Sequence, residues 1–227
     1  MALRIVALAA GVVAGYGWGR ARATEAFDAG TGFFYNITGT PYGFDADGVL
    51  AGATAGYNWQ RGALVAGLEG EIGYFGLRGS AIDPNGTAFG TPDTVTSFRS
   101  DFYAALNARL GAALGGALVY GKGGVALLNT RASTIDPCIA PPAGCGTGTL
   151  SMHGSKSMLG WSLGGGVEWS TNPRWTAKVE YVYLDFGKIS TAGARNVAGE
   201  FYRQSIAVNA HSVRFGVNYR FAGPAGL

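Results

Sequence analysis

The chain is short of charge, histidine and long apolar runs, and each shortage closes a class of function. Only 14% of the 227 residues are charged, and the net charge of +3 comes without a basic cluster, so nothing points to nucleic acid. No stretch reaches the ~18 consecutive apolar residues that a membrane-spanning helix requires. Two histidines and no acid-rich motif supply neither a metal-ligand set nor a cofactor motif. No shift in composition marks a linker, so residues 1–227 read as a single domain. Glycine is abundant, with 39 residues, and aromatics make up 12% of the chain. Together with the pattern described next, that composition suits a β-barrel, where small residues relieve crowding inside.

The pattern is clearest between Val49 and Phe75. Val49, Ala51, Ala53, Ala55, Tyr57 and Trp59 share one parity, and Gly52, Thr54, Gly56, Asn58 and Gln60 the other. After a break at Arg61-Gly62, Leu64, Ala66, Leu68, Ile72 and Tyr74 alternate with Gly67, Glu69, Glu71 and Gly73. A period of two is that of a strand, and two such runs around a tight break are a hairpin. The apolar face ends in aromatics, while the polar face carries glycines and carboxylates. That is the sign of a membrane barrel, apolar toward lipid and polar toward the lumen.

The same alternation recurs along the chain. It is visible at about 4–19, at Ser97–Leu110, in ALVYGKGGVALLN from Ala117, at Ser157–Trp169, at Trp175–Phe186 and at His211–Phe221. With the hairpin this makes eight strands, predicting an all-β, eight-stranded antiparallel transmembrane up-and-down barrel. Four long loops at about 20–47, 76–96, 130–156 and 187–209 alternate with three short turns, as in outer-membrane barrels. Residues 1–23 also have signal-like character, with Arg4 before IVALAAGVVA and Ala21-Arg22-Ala23 as a candidate cleavage site. Large residues alternate there with small ones up to Tyr16 and Trp18, which is the pattern of a first strand. Removing that stretch would leave an unpaired edge in lipid, so it is read as strand.

Parity places Glu69, Glu71, Asp101, Glu168 and Glu180 inward, with Arg99, Arg109, Lys122, Lys178, Arg214 and Arg220. Cross-strand pairing would set Glu69 and Glu71 near Arg99 and Arg109, and Lys178 and Glu180 near Arg214 and Arg220. An eight-stranded barrel is just wide enough for its side chains to fill, so a salt-bridge network plugging the lumen is expected over a charged constriction for ions. A lipocalin-type soluble binder would need an apolar lumen. Trp59, Trp169, Trp175, Tyr57, Tyr219 and Phe221 lie at strand ends beside short turns and read as the periplasmic girdle, with Tyr16, Trp18, Tyr74, Phe98 and Tyr183 opposite. Catalysis is not expected. His211 and Ser212 are adjacent on one strand and point apart, and His153 lacks an orienting carboxylate. Cys138 and Cys145 flank a Pro-Pro turn in a loop exposed to an oxidising compartment, which predicts a local disulfide.

GYGWG, AGYNWQ followed by LVAGLEGEI, and KVEYVYLDFG with HSVRFGVNYRF resemble the Omp25/Omp31 family of small porin-like outer-membrane proteins of alphaproteobacteria, from about Gly15 to Phe221. The resemblance implies periplasmic termini, a place among outer-membrane lipid and lipopolysaccharide, insertion by the barrel-assembly machinery, and a structural, surface-antigen or porin-like role. Some members are credited with haem binding, so an extracellular ligand held by the loops is a further expectation. The chain departs from the family in LRIVALAAGVV before GYGWG and in AGPAGL after Phe221.

Overall fold

In a computed structural model of the chain, residues 4–26, 41–84, 93–137, 149–195 and 201–221 are described. They form nine strands: β1 (Arg4–Ala26), β2 (Pro41–Arg61), β3 (Leu64–Phe75), β4 (Arg78–Ile82), β5 (Val95–Leu114), β6 (Ala117–Asp136), β7 (Leu150–Ser170), β8 (Trp175–Arg195) and β9 (Phe201–Arg220). Their order is β1-β9-β8-β7-β6-β5-β3-β2, with β1 also paired to β2. All pairings are antiparallel, and the first and last strands join from Ala9↔Arg220 to Ala26↔Arg203. This is a closed ring of eight, which leaves no edge to be satisfied in lipid. The short β4 continues the course of β3 after a break at Gly76-Leu77 and bridges β2 and β5.

Short connections gather at one end. Arg61 faces Leu64, so the first turn is Gly62-Ala63, one residue later than the sequence break suggested, with Gly62 at φ 62°. Gly115 and Gly116 have φ 57° and 96°, the pair of positive values that a type I′ hairpin turn requires. Between β7 and β8 the Asn172 Oδ1 accepts hydrogen bonds from the amides of Arg174 and Trp175, both at 2.9 Å.

The strands run much further than their alternation suggested. Within the segments read as loops, the described residues 20–26, 41–47, 78–82, 95–96, 130–136, 150–156, 187–195 and 201–209 are strand, and β9 begins at Phe201, not near His211. The reason is a reversal of faces. On β1 the outward residues are Leu8, Val12, Tyr16 and Trp18, then Arg20 and Arg22, while the inward ones become Ala21 and Ala23. From Leu8 to Trp18 a tilted strand climbs about 25 Å, the height of an apolar band. Beyond Trp18 the wall stands in water, so polar side chains turn out and apolar ones in, as in a soluble barrel.

The outer half of the interior is therefore a hydrophobic core. Leu50, Phe75, Leu77, Leu128, Met158, Leu184 and Ile206 are fully or almost fully buried there. Above it, Tyr42, Thr96, Thr134 and Gln204 close a four-membered ring of side-chain hydrogen bonds, with links of 2.7, 2.8, 2.9 and 2.9 Å. An apolar lumen and a charged one occupy the same barrel at different heights.

Candidate functional site

Below the apolar core, eight charged side chains meet in the lumen. Glu69 on β3 accepts from Arg109 of β5 (3.2 Å), Lys122 of β6 (2.9 Å) and Lys178 of β8 (2.7 Å). Glu180 on β8 lies 2.8 Å from Lys122 and 3.5 Å from Lys178, and it accepts the Tyr120 hydroxyl proton at 2.6 Å. Arg109 reaches on to Glu168 of β7 at 2.7 Å, a carboxylate that Thr176 also bonds at 2.7 Å. Arg214 of β9 donates from one nitrogen to both oxygens of Glu71 at 2.9 Å, and its Nε donates to the Ser212 hydroxyl at 2.9 Å. Its guanidinium lies 5.3 Å from the Tyr103 ring centre, and that of Arg109 lies 4.0 Å from the Tyr120 ring centre.

Four carboxylates (Glu69, Glu71, Glu168, Glu180) and four cations (Arg109, Lys122, Lys178, Arg214) cancel formally. Balance matters because an unpaired ion is costly in a dry interior, whereas a fully bonded set is tolerated. Lys178 and Arg214 expose 1% and 0% of their surface, as little as the apolar core above them. Glycines on the same faces leave the room: a Cβ at Gly216 would sit 2.8 Å from the Lys178 Cε, and one at Gly166 2.9 Å from the Glu180 Cγ. At the short-turn mouth a vestibule of about 160 Å³ is lined by Asn58, Gln60, Arg220 and Glu168.

The geometry departs from the sequence expectation at three inward positions. Arg99 and Asp101 lie on the outer wall, where Asp101 sits 3.6 Å from Arg131 in an exposed pair. The β5–β6 register shifts between Ser100 and Tyr103, and one extra residue reverses every side chain beyond it. For the same reason Phe98 points inward and is 2% exposed, so it belongs to the core and not to a girdle. Arg220 stays at the rim, bonding Ser170 and the Asn172 carbonyl at 3.0 and 3.1 Å, outside the eight-membered set. Glu69 meets Arg109 of the neighbouring strand as expected, but most partners lie on strands that are not neighbours in the ring. Glu71 meets Arg214 and not Arg99, while Lys178 and Glu180 meet Glu69 and Lys122, not Arg214 and Arg220.

The outer surface carries two aromatic belts. At the short-turn end Tyr57 packs edge-on against Trp59 (4.8 Å), Trp175 against Tyr219 (5.1 Å) and Tyr219 against Phe221 (5.2 Å), with Trp169 exposed nearby in sequence. At the other end Tyr16, Trp18 and Tyr74 face out with Phe102, and Tyr16 bonds Asp47. Trp161, Tyr183 and His211 pack at tilted angles in the same belt, where the Tyr181 hydroxyl meets the His211 Nδ1 at 2.6 Å. His211 faces outward, whereas Ser212 is buried inward with its hydroxyl on the Val182 carbonyl (3.2 Å), so the two form no nucleophile–base pair. Cys138 and Cys145 lie outside the described residues. Alternation set Tyr103, Tyr120 and Thr176 on the lumen faces but did not single them out as partners of the ions, because those pairings join strands distant in sequence or reach across a turn.

A ring of eight strands, an apolar outer band and two aromatic belts agree with what known proteins show. The pattern of the outer membrane protein beta-barrel domain family matches residues 2–221. The chain belongs to that family. It is therefore an outer-membrane protein. The chain is 34% identical over 122 residues to the 31 kDa outer-membrane immunogenic proteins of Brucella melitensis biotype 1 and Brucella suis biovar 1, which supports the Omp25/Omp31 resemblance. That match covers 53% of the chain and 46% of those relatives, so it spans about half their length. Among solved structures, the outer membrane protein OprG of Pseudomonas aeruginosa shares the fold at TM-score 0.56 and 9% identity, over 97% of this chain and 98% of that one.

Proposed function

We propose that this outer-membrane barrel is a structural and surface-display protein whose lumen is closed by its own side chains. The observation that carries the reading is the stack of fillings along one axis: the balanced set around Glu69, the apolar core from Leu50 to Ile206, and the hydrogen-bonded ring of Tyr42, Thr96, Thr134 and Gln204. A conducting pore would need a continuous wet path, and side chains at 0–2% exposure occupy all three levels. No catalytic role is assigned, since the inward charges are engaged in pairing and, among the described residues, neither His153 nor His211 meets a serine and a carboxylate in a nucleophilic array.

Liposomes carrying the folded protein should take up small sugars and amino acids no faster than empty liposomes, as followed by osmotic swelling. Uptake at porin-like rates would overturn the closed-lumen reading and favour a small diffusion channel.

A further inference from the structure

Three arginines stand side by side on the outer wall just beyond the extracellular aromatic belt. Arg78 of β4 is directly opposite Arg99 of β5, and Arg99 is directly opposite Arg131 of β6. All three are exposed. Like charges opposite each other on neighbouring strands repel, so such a row weakens the wall unless something anionic offsets it. Among the described residues, neither Arg78 nor Arg99 has a carboxylate within salt-bridge distance, and Arg131 has only Asp101, at 3.6 Å. The row lines a depression of about 940 Å³ on the outer wall together with Ser97, Ser133 and His153, whose hydroxyls and ring nitrogens add hydrogen-bonding capacity.

Position selects the ligand. Tyr74 precedes Arg78 by four residues on the same wall, and the outward Phe102 follows Arg99 by three. The arginines therefore lie one step above side chains that mark the edge of the hydrocarbon, at the height of lipid headgroups. Below them the wall is apolar, with Leu106, Val125 and Leu127 available to acyl chains. Guanidinium groups recognise phosphate through paired, charge-assisted hydrogen bonds, and three on adjacent strands span about 10 Å.

We infer that Arg78, Arg99 and Arg131 form a binding site for the phosphate groups of an outer-leaflet glycolipid, whose acyl chains lie along the wall beneath. The site is independent of whether the lumen conducts.

The test uses the folded protein in an uncharged detergent, with bisphosphorylated lipid A as probe and the same lipid stripped of phosphate as reference, bound lipid being counted by native mass spectrometry. Wild-type protein should hold the phosphorylated lipid about tenfold more tightly than the R78Q/R99Q/R131Q variant, with the gap shrinking at high salt. The stripped lipid should bind both proteins alike. In lipid-free detergent the variant should melt no lower than wild type, since its loss relieves repulsion. Should the triple variant fail to fold, Arg99→Gln alone should weaken phosphorylated lipid about threefold. Equal affinity of wild type and variants for the phosphorylated lipid would overturn the site. So would equal binding of stripped and phosphorylated lipid to wild type, or a soluble sulfated oligosaccharide binding the row as tightly as the lipid.

Discussion

Replacing Glu69 with glutamine should destabilise the folded barrel by about 3–5 kcal/mol, the loss expected when one partner is taken from a buried ionic set. Glu69 touches three cations within 3.2 Å, and glutamine keeps its shape while removing its charge. The four buried cations would then face three carboxylates. Glu180 would still face Lys122 and Lys178, and Glu168 would still face Arg109, but with Glu71 bound to Arg214 two carboxylates would be left for these three cations. Equilibrium unfolding in detergent measures the effect, with Arg220→Gln as the control. Arg220 bonds neutral groups at a half-exposed rim, so its loss should cost no more than about 1 kcal/mol. An equally small cost at Glu69 would mean that water screens the lumen and that the ions are not a plug.

The second large effect belongs to the opposite face. Leu106 is 56% exposed in the middle of the outward row of β5, between Phe102 and Leu114, and it faces Val125 on β6 and Gly70 on β3. Leu106→Arg should cost about 2–4 kcal/mol in a bilayer, since a cation near the midplane has no water. Ile135→Arg is the informative comparison. Ile135 is also outward and exposed, but it lies four residues beyond Arg131 on β6, above the belt, so its replacement should change stability by less than about 0.5 kcal/mol. Reconstituted folding measured by urea titration reports both. Equal tolerance at the two positions would place the membrane band at the wrong height.

The contrast between these sites shows which parts of the fold can be read from a linear chain. Inside the bilayer the environment changes sign across the wall, so each strand carries a strong two-residue alternation. Parity alone put Glu69, Glu71, Arg109, Lys122, Glu168, Lys178, Glu180 and Arg214 on one side. Above the belt both surfaces change solvent: Arg20 and Arg22 turn out while Ala21 and Ala23 turn in. Because small residues such as Gly43 and Ala46 fill much of the wall there, the reversed alternation resembled a loop. The bulge between Ser100 and Tyr103 misled in a different way, since one inserted residue has no local signature yet swaps Phe98 with Arg99 and moves Asp101 outward. Contacts through the lumen are the least legible of all. Glu71 and Arg214 are 143 positions apart, and only closure of the ring brings them within 2.9 Å.

Closure of the lumen is most directly tested by ion conductance across a planar bilayer. The wild-type protein should insert with no steady current above the bare membrane, while Glu69→Gln, with its cluster loosened, should show intermittent openings. A steady wild-type conductance, with Glu69→Gln altering only the preference for cations over anions and leaving stability unchanged, would contradict the plugged barrel.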